Sequence, residues 1–201
     1  SDMPPLPYSF HTKVDLGGAK ACVRLGKPFE RYHPREGTMG PCEWSAPFSL
    51  DTVGSTQAVD IAGEGFLLEA AMQVSLAAGR FCGTKIITLT PRCVICNKLD
   101  QPVSIGQVGC EESYRSVIGT GEMQVVRWLE ESKERSLRIK LLPDQSRGQQ
   151  EWGWQWSDAL SRNAVGYFPL KLRATKLRPD GSPRVYNLAV HVTSQGPTTF
   201  I

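Results

Sequence analysis

Trp44-Ser45-Ala46-Pro47-Phe48-Ser49-Leu50-Asp51-Thr52-Val53-Gly54 returns later in the chain as Trp156-Ser157-Asp158-Ala159-Leu160-Ser161-Arg162-Asn163-Ala164-Val165-Gly166. The Trp-Ser and Val-Gly ends of the two stretches coincide, Ser49 falls on Ser161 and Asp51 on Asn163, all in one register. A Trp-Ser dipeptide alone would carry no weight. Agreement at both ends and between them reads as an internal repeat.

The flanks agree. Ala21-Cys22-Val23-Arg24-Leu25 precedes the first Trp much as Leu137-Arg138-Ile139-Lys140-Leu141 precedes the second, and both alternate apolar with polar in strand fashion. Downstream, each Val-Gly leads into two strand-like runs around a turn: Gly63-Glu64-Gly65 in the first copy, Pro179-Asp180-Gly181-Ser182-Pro183 in the second. Asp-Gly is a strong hairpin signal because it supplies the positive φ of tight turns. On the arms of the second hairpin Leu170, Leu172 and Ala174 alternate with polar residues, as do Tyr186, Leu188, Val190 and Val192, so one face is core and the other solvent. Lys85–Pro91 and Arg92–Asn97 read as two more strands broken at the proline. The second copy reaches Thr199-Phe200-Ile201 where its equivalent of Lys85-Ile86 should begin. The expected architecture is all-β, two tandem β-sandwich-like repeats: residues 1–110, a linker at 111–121, and 122–201, the last truncated at its C-terminal end. A shared register predicts that Trp44 and Trp156 occupy equivalent buried positions.

Composition supports a packed core. With 201 residues, 40% hydrophobic and 21% charged, the chain has room for one large or two small domains and lies far from the compositions that stay disordered. Nineteen Gly and 14 Pro punctuate it into short runs. The start, Ser1-Asp2-Met3-Pro4-Pro5, lacks the basic and apolar regions of a signal peptide, and no run is long and apolar enough to span a bilayer, so a soluble chain is expected. Six irregularly spaced cysteines suit reduced thiols in a cytoplasmic protein better than a disulfide framework. A formal charge of +3 gives no ground for a nucleic-acid partner.

Residues that could carry chemistry are few. Cys93-Val94-Ile95-Cys96 has a metal-like spacing, but residues three apart in a strand face opposite ways and there is no second pair, so core thiols are expected. His11, His33 and His191 are scattered, and Gly63-Glu64-Gly65 and Gly119-Thr120-Gly121 lack the third glycine of a dinucleotide site. No catalytic residue, metal or cofactor is expected, and the chain reads as a non-enzyme. Trp152, Trp154 and Trp156 would share one face of a strand; Trp156 is assigned to core by its match to Trp44, and the other two stay open between core and docking surface. Arg162, Lys171, Arg173, Lys176, Arg178 and Arg184 crowd around a single acid, Asp180. They form either a solvated strand face or a basic surface for acidic peptide or an anionic membrane surface.

Trp44–Gly54, then Ile86-Ile87-Thr88-Leu89-Thr90-Pro91, Cys96-Asn97-Lys98-Leu99 and Ile105-Gly106-Gln107, together resemble a repeat of the adaptor-binding domain of the vacuolar protein sorting-associated protein 13 family of bridge-like lipid transfer proteins. The resemblance is strong in the first copy and weaker in the second, where Ala159-Leu160 replaces Pro47-Phe48. It implies an array of β-rich repeats that binds Pro-x-Pro motifs of organelle adaptors, placing a cytoplasmic transporter peripherally at membrane contact sites. It also implies an asparagine near the end of each repeat, here Asn97, with a turn or a binding role. An extended proline ligand suits a sheet edge or an apolar groove. Repeat two, with the longer hairpin and the basic strand, is the expected host. Its candidate peptide-binding residues are Tyr167, Phe168, Leu170, Leu172, Arg173, Lys176, Tyr186 and Leu188, with Asn97 beside them. The competing readings are a module for anionic lipid headgroups and a plain spacer. Pro5-Leu6-Pro7 is itself a Pro-x-Pro: native strand, fused ligand or accidental match.

Overall fold

A computed structural model describes residues 18, 20–26, 42–111, 116–142, 153–161 and 163–201. Pro5-Leu6-Pro7, His11, His33, Trp152 and Arg162 lie outside the described residues. Among the described residues fourteen strands run in chain order: β1 (Lys20–Ala21), β2 (Phe48–Ser49), β3 (Thr56–Gly63), β4 (Phe66–Leu76), β5 (Lys85–Pro91), β6 (Cys93–Cys96), β7 (Val103–Gln107), β8 (Ser116–Ile118), β9 (Met123–Val125), β10 (Ser136–Leu141), β11 (Leu160–Ser161), β12 (Gly166–Leu177), β13 (Pro183–Gln195) and β14 (Thr198–Phe200). They form sheets ordered β1-β2, β3-β4-β5, β11-β10-β7-β8 and β12-β13-β14-β6-β9. The all-β expectation holds. The chain divides into two compact units, one of residues up to Glu64 with Glu69–Thr90, the other of Gly65–Leu68 with Pro91–Ile201.

The two matching stretches of sequence share a local geometry. In the first unit β1 pairs with β2, Lys20 opposite Ser49 and Ala21 opposite Phe48. In the second, β10 pairs with β11, Ser136 opposite Ser161 and Leu137 opposite Leu160. The serine after each Trp is fixed in the same way. Ser45 donates its N–H to the Val23 carbonyl at 2.8 Å, and its Oγ accepts from the Val23 N–H at 3.0 Å while donating to the Ala46 carbonyl. Ser157 donates its N–H to the Ile139 carbonyl at 2.8 Å, and its Oγ accepts from the Ile139 N–H at 3.0 Å while donating to the Asp158 carbonyl. Both serines are buried. Each hydroxyl satisfies a strand N–H that would otherwise be orphaned. The Val-Gly ends also match, Gly54 and Gly166 both adopting a positive φ, of 83° and 137°.

The tryptophan expectation is corrected by the same geometry. Trp44 is 61% exposed and Trp156 only half-buried. Successive residues of extended chain face opposite sides. With Ser45 and Ser157 turned inward to their hydrogen bonds, the rings before them must turn outward. The environments nonetheless correspond, because a cation from the paired segment roofs each ring: Arg24 at 4.6 Å from the Trp44 centroid, Lys140 at 5.7 Å from that of Trp156. The tryptophan that fills the core is Trp128, with no exposed surface, bridged to Leu67 through both backbone groups.

Spatial closure does not follow the sequence repeat. β6 and β7, within the span read as repeat one, fold into the second unit: β6 lies parallel to β14, and β7 lies antiparallel to β10. The span read as a linker contains β8, whose Ser116 and Ile118 are buried against β7. Three residues are too few to show a period. The strand beside β14 is thus supplied by chain about a hundred residues earlier.

Candidate functional site

The long hairpin of β12 and β13 places Leu170 opposite Leu188, Leu172 opposite Tyr186 and Phe168 opposite Val190. Leu170, Leu172, Ala174, Leu188, Val190 and Val192 are buried, as the alternation required. Leu170 and Leu172 were expected to line an open groove, and that is corrected: they face the interior, at 7% and 0% exposure, because the alternation that makes them apolar also turns them inward. Phe168 and Tyr186 are half-buried, and Tyr186 meets Trp154 edge-on at 6.2 Å. Trp154 bridges to Ala174 along the outer edge of β12.

The opposite face is exposed. Tyr167 is 77% exposed and stacks flat on His191 across the pair, centroids 4.0 Å apart. Arg173 and Lys176 are exposed near the hairpin tip, with Arg173 opposite Val185. Tyr167 and Arg173 lie six positions apart, about 20 Å along a strand. The candidate residues therefore divide between the core, the hairpin tip and the Tyr167–His191 end.

At that last end lies a cavity of about 200 Å³. Its walls include Ile95, Leu99, Ile139, Leu188, Val190 and Phe200, drawn from both sheets of the second unit. Asn97 and His191 also border it. Pockets that hold a whole small molecule measure about 300–1,000 Å³, so this one is smaller than those. Beside it a backbone edge is open. β14 meets only Thr193–Gln195, so Pro183–Val192 has β12 on one side and no described strand on the other.

Asn97 is 4% exposed and committed to its own chain. Its Nδ2 donates to the carbonyls of Gln101, Ile118 and Gly119 at 3.0–3.1 Å, and its Oδ1 accepts from the Leu99 N–H at 3.0 Å. This geometry is that of a turn brace. The side chain pins the loop after β6 to the end of β8 and so sets the cavity rim. Leu99, Val190, Phe200 and His191 border the cavity and are not among the residues the sequence singles out for binding. Leu99 sits two positions after the asparagine, a readable signal; the others become visible only with the strand pairing.

Reactive chemistry is sparse. Among the described residues no group of three or more His, Cys, Asp or Glu could hold a metal ion, and no helix is long and apolar enough to cross a membrane. Cys93 is buried and Cys96 half-buried, in keeping with opposite faces of β6. Burial, and then the nearby Glu130, push the Cys110 thiol above its ordinary pKa, away from nucleophilic use.

Among the described residues of the second unit, the open features of this all-β fold are a strand edge and a small apolar cavity. The comparison with known families is specific: all of residues 1–201 match the adaptor-binding domain of vacuolar-sorting associated protein 13, and the chain belongs to that family. It is similar to an intermembrane lipid transfer protein VPS13 of Chaetomium thermophilum, 30% identical over 133 residues, 63% of this chain and 4% of that protein. It is similar also to the human and mouse intermembrane lipid transfer proteins VPS13C, 37% and 34% identical over 70 residues, 35% of this chain and 2% of each relative. The chain thus spans only a few hundredths of the length of these relatives.

Proposed function

We propose that this chain is a non-enzymatic adaptor receiver that takes a Pro-x-Pro peptide on the open edge of β13, with the adjoining cavity and the Tyr167–His191 stack gripping its side chains. Its role is to bring a lipid transfer protein to membrane contact sites. The supporting observation is the coincidence at one place of an unpaired edge, Leu188 to His191, with an apolar cavity. Backbone chemistry favours this ligand. In an extended peptide, residues i and i+2 turn their backbone groups to the same edge and their side chains to the same face. Pro-x-Pro therefore directs both missing N–H groups away from β13, while the residue between keeps a donor and an acceptor for the ladder.

Calorimetric titration of the whole chain with a Pro-x-Pro adaptor peptide should show saturable binding. Replacing both prolines with alanine should weaken it at least tenfold, and Leu99→Asp or Tyr167→Asp should do the same without unfolding the chain. Equal affinity for the alanine peptide would overturn the reading. A second reading, binding of anionic headgroups, is favoured by one observation: Lys171, Arg173, Lys176, Arg178 and Arg184 are all exposed. It predicts co-sedimentation with phosphatidylserine vesicles that falls steeply with salt and is indifferent to Leu99→Asp.

A further inference from the structure

We propose that the outer edge of β5 is an acceptor for a parallel strand of the β6 kind, the sequence class Arg92-Cys93-Val94-Ile95-Cys96-Asn97, supplied by another repeat of the same type. β3-β4-β5 and β12-β13-β14 follow equivalent anchors in equivalent order, each as a sheet whose third strand folds back on the second. In the second unit the outer edge of that third strand is occupied. β6 lies parallel to β14, Thr199 opposite Cys93 and Phe200 opposite Val94. Thr199 donates to the Arg92 carbonyl at 2.9 Å, Ile201 to that of Val94 at 2.9 Å, and Cys96 to that of Ile201 at 2.7 Å. Thr198 and Ile201 are buried as a result, at 7% and 8% exposure.

No described strand lies on that edge of β5 in the first unit. Ile86, Ile87 and Leu89 there are 37%, 42% and 42% exposed. A seven-residue edge strand carrying three exposed large apolar side chains is the kind of surface that proteins normally cover. What covers it is indicated by chain order. β6 follows β5 directly in sequence, yet it pairs with the third strand of the next copy. Strands of this kind are handed forward, so β5 should receive its neighbour from another repeat. The proposal does not depend on Pro-x-Pro recognition, which concerns β13.

The test uses the whole 201-residue chain and a synthetic peptide of residues 91–98, with serine in place of Cys93 and Cys96. A second version of the peptide is joined to the N-terminus by a flexible Gly/Ser linker, which raises its effective concentration to the millimolar range. Amide exchange at Lys85–Leu89 should slow at least tenfold, and a spin label at the peptide N-terminus should broaden Lys85 and Ile86 before Leu89 and Thr90, as a parallel strand requires. Ile87→Lys, at an exposed position, should abolish the protection and leave the β12–β13 resonances unchanged. Protection absent from β5 even in the joined chain, protection only elsewhere, or broadening in the reverse order would each overturn the proposal.

Discussion

The strand triplets β3-β4-β5 and β12-β13-β14 follow the same anchors, yet among the described residues the second is extended by β6 and β9 while the first ends at β5. Side-chain exposure follows that difference. The third strand of the extended sheet buries Thr198, whereas β5 exposes Ile86, Ile87 and Leu89. A repeat in sequence is therefore not a closed unit in space: the strand that completes one copy is encoded ahead of it. The same comparison separates what each copy fixes for itself, the Trp-Ser anchor and the hairpin, from what it receives.

The largest expected effect tests which tryptophan the core depends on. Trp128→Ala removes a fully buried ring from the second unit and should cost about 3–5 kcal/mol in urea unfolding. Trp44→Ala removes an exposed ring under Arg24 and should cost less than about 1 kcal/mol. If Trp44→Ala were the more damaging of the two, the outward orientation of the anchor ring would be wrong.

A smaller effect sharpens the correspondence of the anchors. Ser157→Ala leaves the buried Ile139 N–H without its acceptor and should cost about 1–3 kcal/mol. Ser45→Ala exposes the same defect at the Val23 N–H, which is only part-buried, so it should cost less. Urea unfolding of both variants measures the ratio. Equal costs would mean that the first copy is as well covered as the second, against the exposure of β5.

Much of this was legible in the sequence, and the limits are physical. Alternation marked the β12–β13 arms and put Leu170, Leu172, Leu188 and Val190 on one face, because side-chain direction in a strand is a local property. The anchor register was readable for the same reason. Which ring is buried was not, since a serine hydroxyl decided it by meeting a backbone N–H on another strand. Nor was the placement of β6, a parallel neighbour of a strand about a hundred residues away, because parallel pairing leaves no turn signal between partners. The cavity depends on that pairing, so among the candidate residues only Asn97 and Leu188 were brought to it, and Asn97 serves the rim through four hydrogen bonds within its own chain.

The smallest effect separates the two hairpin tips. The first turns at Glu64-Gly65; the second turns through Asp180-Gly181, where Gly181 has a φ of 78° and donates to the Arg178 carbonyl at 2.9 Å. Only the second has a serine two residues after its acid: Asp180 Oδ1 accepts from the Ser182 N–H at 2.8 Å and from its Oγ at 2.6 Å. Those two bonds favour the charged form and hold the Asp180 carboxyl below its ordinary pKa. A carboxyl depressed by folding stabilises above its unfolded pKa, about 3.9, and that contribution is lost as pH falls through the lower folded value. Since the group is fully exposed, the loss should be confined to the turn. Below about pH 4 the Ser182 and Gly181 amide resonances should shift and their protection relative to free amides should fall, with the β12–β13 ladder and the unfolding midpoint unchanged. Asp180→Asn keeps an acceptor without the charge, so it should keep the turn and erase its pH dependence. Titration of Ser182 in that variant, or melting of the ladder together with the tip, would show that the second hairpin is held by something other than this brace.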